Sequence, residues 1–137
     1  MVKIEAMEKK IAQRSDWKIE PMPALCKALM IQDLYTTQVF ELISLGIIPD
    51  SMDEKWFVYY ESPWLYLHRS WTGICIYKVQ FEFINDHFQI VEAFVNQDPS
   101  QYKVTDDEQE VTLLRTLLNS VVERNERNQI RTRRWLF

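Results

Sequence analysis

Only two glycines, Gly46 and Gly73, occur among the 137 residues. They lie too far apart to build a glycine-rich phosphate loop or a dinucleotide fingerprint, so neither a P-loop nor a Rossmann site is expected. Cysteine and histidine are equally scarce. Cys26 and Cys75 have no CxxC spacing and His68 and His87 form no HExxH pair, so no metal is expected and no cofactor is called for. The two cysteines are expected as buried thiols rather than a bridge, in keeping with a cytoplasmic setting. No run of about 18 apolar residues is present, so no membrane span is expected. The opening MVKIEAMEKKIAQR is amphipathic and of mixed charge, unlike a secretory signal. With five prolines, 47% apolar and 26% charged residues, long linkers are not expected, and residues 1–137 suit one domain with a single core.

Charge is unevenly distributed. The net value of −4 combines five arginines and two glutamates after Val122, a balance of +3, with −7 on the rest. An acidic body repels nucleic acid, and only the arginine tail opposes that.

What is present in abundance is aromatic. Trp56 to Asn96 holds 12 of the 18 aromatic residues and both histidines, so a site is sought there first. Alternation marks strands at Trp56 to Glu61, Trp64 to Ser70, Ile74 to Ile84 and Phe88 to Asn96, joined by turns at Ser62-Pro63, Gly73 and Asn85-Asp86-His87. Connections this short make neighbours antiparallel. Ahead of them, Ile4, Met7, Ile11 and Ala12 predict a short amphipathic helix. Pro23 suits the first turn of a second helix, Ala24 to about Asp33. A third is expected with Thr37 as N-cap and Gly46 just past its end. After Asp98-Pro99, Thr105 and Glu108 read as a capping box, and Val111, Leu114, Leu117, Leu118, Val121 and Val122 carry a helix to about Arg124. Residues 125–137 then form a basic tail, flexible, folded onto the acidic body, or bound to an acidic partner. The expected fold is α+β: a four-stranded antiparallel meander with N-terminal helices and a C-terminal helix packed on the sheet.

The candidate chemistry gathers at His68-Arg69-Ser70-Trp71-Thr72-Gly73. His68 has the side chain suited to acid or base catalysis near neutral pH, against the ordinary reading of a histidine bonded to a neighbour. Arg69 offers a planar fork, and Lys78 a point charge, to a phosphate or carboxylate, against the reading of a solvated strand face. Pairing across the turn sets Arg69 opposite Ile74 and Lys78 opposite Leu65, which leaves Arg69 as the stronger anion candidate. Ser70 and Thr72 offer hydroxyls, but no GxSxG elbow accompanies them, so they are ligand contacts rather than nucleophiles. Trp71 offers a stacking face, since a tryptophan in a turn is hard to bury. His87 reads as surface, and Glu61, Glu82 and Glu92 sit on separate strands without the spacing of a glycosidase pair.

The runs IPDSMDEKWFVYYE and WLYLHRSWTGICIYKV resemble a small family of uncharacterised bacterial proteins, over roughly Thr37 to Leu118, with HRSWTG the distinctive part. The resemblance implies a neighbourhood of ADP-ribose or nucleotide-processing enzymes, a bacterial or phage cytoplasm, and a phosphorylated nucleotide-like ligand. It supplies no catalytic residue. The leading expectation is therefore a small cytoplasmic domain binding an anionic small molecule through Arg69, Ser70, Trp71, Thr72 and Lys78. The alternatives are a small enzyme on such a substrate with His68 as acid or base, and a protein-interaction module working through the aromatic sheet or the tail.

Overall fold

The computed structural model describes residues 11–136. After a 3-10 turn at Arg14–Asp16 come two short strands, β1 (Cys26–Ala28) and β2 (Leu34–Tyr35), and a helix, α1 (Thr37–Ser44). The meander follows as β3 (Trp56–Glu61), β4 (Trp64–Arg69), β5 (Cys75–Ile84) and β6 (His87–Asn96), and a long helix, α2 (Asp107–Leu136), closes the described chain. The protein is α+β, and every strand pairing is antiparallel.

The sheet has six strands rather than the expected four, in the order β1-β6-β5-β4-β3 with β2 also paired to β6. The additional two come from the segment expected to be a helix, Ala24 to Asp33. Lys27 pairs with Val95 and Leu34 with Gln89, while between them Leu29 N–H donates to Ala93 O and Ile90 N–H to Asp33 O. The segment thus follows much of the outer edge of β6. As a helix it would have left that edge's backbone groups without these partners, which outweighs local propensity. It also delivers Leu29 and Ile31 to the core.

Of the first predicted helix, Ile4 and Met7 lie outside the described residues. Ala12 is not helical; its N–H donates to Leu45 O at 2.9 Å. Helix α1 forms where expected, one residue out of step at its start. Thr36, not Thr37, is the N-cap, its hydroxyl accepting from Val39 N–H. Gly46 follows with φ of +69°, and a Cβ there would stand 2.0 Å from Val58 O, so both conformation and close approach require glycine. At α2 the shift is in the other direction, the cap falling one residue later than the sequence suggests. Asp106 accepts from Gln109 N–H at 2.9 Å, whereas the Thr105 hydroxyl donates to Asp106 O. The helix does not stop near Arg124; its backbone continues to Leu136. Asn125 there donates to Leu42 O and Gly46 O, satisfying carbonyls at the end of α1, so the expected helix end is in fact a docking point.

Pleating divides the sheet into two unlike faces. Val58, Leu65, Leu67, Tyr77, Val79, Ile90 and Val95 pack with Phe40 and Ile43 of α1 and Leu114, Leu118 and Val121 of α2. Leu114 and Leu118 are essentially fully covered, each contributing about 1.5–3 kcal/mol by burial. On the other face Phe57 and Tyr59 pack with Ala12, Trp17, Ile19, Ile48 and Tyr66. Both faces thus carry cover, helical on one and extended on the other.

Candidate functional site

Adjacent strand residues point to opposite faces, and this separates the residues singled out from the sequence. Trp56 pairs with Arg69, and Phe57 with His68. Arg69 therefore emerges on the face that carries the helices, at its uncovered end, while His68 belongs to the aromatic cluster beneath the N-terminal segment.

On the first face Arg69, Trp71 and Thr72 line one cleft of about 360 Å³ together with Lys55, Ile74, Ile76, Gln101, Tyr102 and Lys103. The β4–β5 turn positions its floor. Gly73, at φ of +80°, returns the chain so that Arg69 N–H donates to Ile74 O and Gly73 N–H to Arg69 O. Thr72 closes the same turn by accepting from Ile74 N–H. The Arg69 guanidinium lies 5.0 Å from the centre of the Trp56 ring, a cation–π contact that orients it, and among the described residues its side-chain N–H groups have no hydrogen-bond acceptor. Lys55, Arg69 and Lys103 bring three positive charges to the cleft, and among the described residues none is paired with a carboxylate. Trp71 is 60% exposed, its indole N–H donating to Met52 O at 3.1 Å, so the ring is both available and held.

Tyr102 is fixed from behind. Its hydroxyl donates to Glu110 at 2.7 Å, and the same carboxylate oxygen receives Tyr77 at 2.6 Å. Burial, followed by the Glu110 bond, pushes the Tyr102 hydroxyl up to about 12, with Arg69 opposing weakly. The phenol is neutral at any ordinary pH.

Ser70 is buried and occupied. Its hydroxyl donates to Glu54 O, its N–H to Lys55 O, and its carbonyl accepts the Trp17 indole N–H at 2.7 Å. It staples the approach to β3 and faces a separate groove beside Trp71. Lys78 stands on the opposite face from Arg69, its ammonium 4.6 Å from the Trp64 ring centre and 5.5 Å from that of Phe94. It pairs with Tyr66 rather than Leu65, because an irregularity between Leu67 and His68 shifts the register, whereas the expected Arg69 and Ile74 partnership is kept.

His68 and Lys78 line a second cleft, of about 390 Å³, on that opposite face. The His68 ring is 1% exposed, and its Nδ1 lies 2.8 Å from Gly73 O. A carbonyl accepts, so Nδ1 carries the proton, and Nε2 keeps a lone pair that has no partner among the described residues. Burial lowers the pKa of the ring, so it is neutral at pH 7. Such an unpaired buried acceptor costs about 1–3 kcal/mol.

The structure thus joins Arg69, Trp71 and Thr72, turns Ser70 inward, and places His68 with Lys78 elsewhere. Lys55, Tyr102 and Lys103 were not identified from the sequence, since they reach the cleft from two polar connections far apart in the chain. Among the described residues no cluster of His, Cys, Asp and Glu can hold a metal ion, and no helix is long and apolar enough to cross a membrane. Cys26 and Cys75 are free thiols, the first half-buried and the second buried. No protein-family model matches the chain, and neither a curated protein nor a solved structure is significantly similar to it.

Proposed function

We propose that this chain is a small cytoplasmic domain that binds a phosphate-bearing, nucleotide-like molecule in the cleft of Arg69 and Trp71. The observation that carries the reading is the arrangement of Lys55, Arg69 and Lys103, unpaired with any described carboxylate, around a cleft that also presents an exposed, hydrogen-bonded indole. Three such cations disfavour one another and favour an anion of more than one charge, as a phosphate provides. Arg69 supplies the fork, the two lysines supply field, and Trp71 supplies the flat wall against which a base stacks. His68 opens to another cleft, so the proposal is one of binding and gives His68 no part in it.

The test is a thermal-shift panel of AMP, ADP, ADP-ribose and inorganic phosphate, since a ligand of the native state raises the melting temperature by mass action. A nucleotide is expected to stabilise the protein more than phosphate does. Arg69→Ala should weaken it by one to two orders of magnitude, from a charge-assisted bond of about 1.5–3 kcal/mol, with Arg69→Lys recovering part. Trp71→Ala should cost about 1–3 kcal/mol of binding. Stabilisation by none of the four, or equally in Arg69→Ala, overturns the proposal, and turnover of a stabilising nucleotide would make the protein an enzyme instead.

A further inference from the structure

The segment from Cys26 to Tyr35 is one margin of the sheet, and among the described residues nothing pairs with its outer side. At the opposite margin Ile47 exchanges two backbone bonds with Val58 and so covers part of β3. Along the segment, Leu25 O, Leu29 N–H and Asp33 O are all bonded to β6. Antiparallel alternation therefore turns the N–H and C=O groups of Ala28, Met30 and Gln32 away from the sheet. Burial alternates with the same period. Leu29 and Ile31 belong to the core and Tyr35 packs against it, whereas Ala28, Met30, Gln32 and Leu34 face water. Met30 is 86% exposed and Leu34 61%. Edge strands are ordinarily kept apart by charged side chains, and this outward row has none.

Helix α2 stands over the same margin and is tied to it by two ion pairs, Lys27 to Asp107 and Asp33 to Arg115, both at 2.8 Å. Their placement is symmetric. Lys27 and Asp33 lie three positions to either side of Met30, and Asp107 and Arg115 four positions to either side of Val111. A half-turn about Met30 thus brings Lys27 of one chain beside Asp33 of another, and Asp107 toward Arg115. Leu113, exposed on a shallow groove with Thr112 and Thr116, lies near the same axis.

From this set we propose that the margin is the interface of a two-fold homodimer, in which the segment pairs antiparallel with its own copy and the two sheets continue as one. Met30 meets its counterpart on the axis, Ala28 lies opposite Gln32, and Cys26 opposite Leu34. The apolar row is covered on one side of the strand pair and Leu113 on the other, while the two ion pairs of each chain interleave with those of its copy. An unrelated extended peptide would meet the same backbone groups, but nothing in it answers the symmetric placement of Lys27 and Asp33. The interface uses none of the residues that line the cleft of Arg69.

Sedimentation of the full chain over a range of concentrations is expected to show a reversible dimer. Met30→Lys sets two like charges on the axis in place of two apolar side chains and should raise the dissociation constant by about a hundredfold. Leu34→Glu should act in the same direction. Both side chains are outside the core, so the variants fold, which an unchanged circular dichroism spectrum checks. Oxidation of Met30→Cys should link two chains, because facing positions of an antiparallel pair stand about 5.5 Å apart, within reach of a disulfide. Ala28→Cys, about 13 Å from its counterpart, should not link by itself, whereas a mixture of Ala28→Cys and Gln32→Cys should. The parent chain, with Cys26 opposite Leu34, should stay unlinked. The proposal is overturned by a chain that remains monomeric at millimolar concentration, by a dimer that Met30→Lys leaves intact, or by linkage at Ala28→Cys in preference to Met30→Cys. A monomer that takes up an extended peptide along this edge would give the margin to a different partner and overturn it as well.

Discussion

Glu110 is a carboxylate in the core, 1% exposed, and its bonds run to Tyr77, Tyr102 and, at 3.4 Å, to Thr105 N–H. Replacing it by leucine keeps most of the volume and removes every acceptor. Tyr77 is fully buried, so its hydroxyl then has neither partner nor water, at a cost of about 1–3 kcal/mol. Tyr102 is only half-buried and recovers solvent, so it adds less. The expected loss is about 2–3 kcal/mol, equivalent for a chain of this length to roughly 7–10 °C in melting temperature. Tyr77→Phe alone removes one bond while leaving Glu110 its other donors, and should cost about 1 kcal/mol. In the double variant the orphaned hydroxyl no longer exists, so its cost should fall short of the sum of the singles by about 1–2 kcal/mol. Urea denaturation of the four proteins, with matching slopes, measures this coupling. Additivity within about 0.5 kcal/mol would refute the reasoning and mean that the Tyr77 and Glu110 contact contributes no energy of its own.

Asp106→Ala should cost about 1 kcal/mol in denaturation midpoint as the true cap of α2, and Thr105→Ala only a few tenths, with the reverse order placing the helix start at Thr105. Glu54 accepts two bonds from Arg124, and this contact holds its carboxyl below the ordinary 4.5. The stabilisation it brings should be complete above about 4.5 and disappear as the pH falls through the lower folded value. Arg124→Met should flatten that part of the stability curve, and an unchanged acid limb would show that the pair contributes nothing.

The meander was legible because each of its strands carries its own pattern and each turn its own residues: a cis Ser62-Pro63, and Asn85 and Asp86 both at positive φ. The two short strands on the edge of β6 were not. Cys26 to Ala28 is three residues long, and its conformation is decided by Phe94 to Asn96, nearly seventy positions away. The run from Leu25 to Ile31 has enough apolar residues for a helix, and nothing local reveals the edge of β6. The end of α2 was missed for a related reason: beyond Val122 the apolar stripe fades, and what holds the helix there are carbonyls of α1. At the site, Arg69 and Trp71 were found from their own neighbourhood, while Lys55 and Lys103 had only the weak signal of lysines in polar connections. Grouping His68 with Arg69 overlooked what the alternation already implied, that adjacent strand residues face apart.

Arg124 and Asn125 bind carbonyls of Ile48, Leu42 and Gly46, at separations of 76, 83 and 79 positions. During synthesis, the close of α1 and the approach to β3 leave the ribosome long before the two side chains that fasten them. At about 5–20 residues per second that interval is roughly 4–16 s. A chain cut short ahead of Arg124 would hold every strand of the sheet, yet would lack both fastenings and the later turns of α2 over the apolar face. Copies cut short there would leave apolar core uncovered, and the emergence of Arg124 and Asn125 is the step that fastens α1 and the approach to β3.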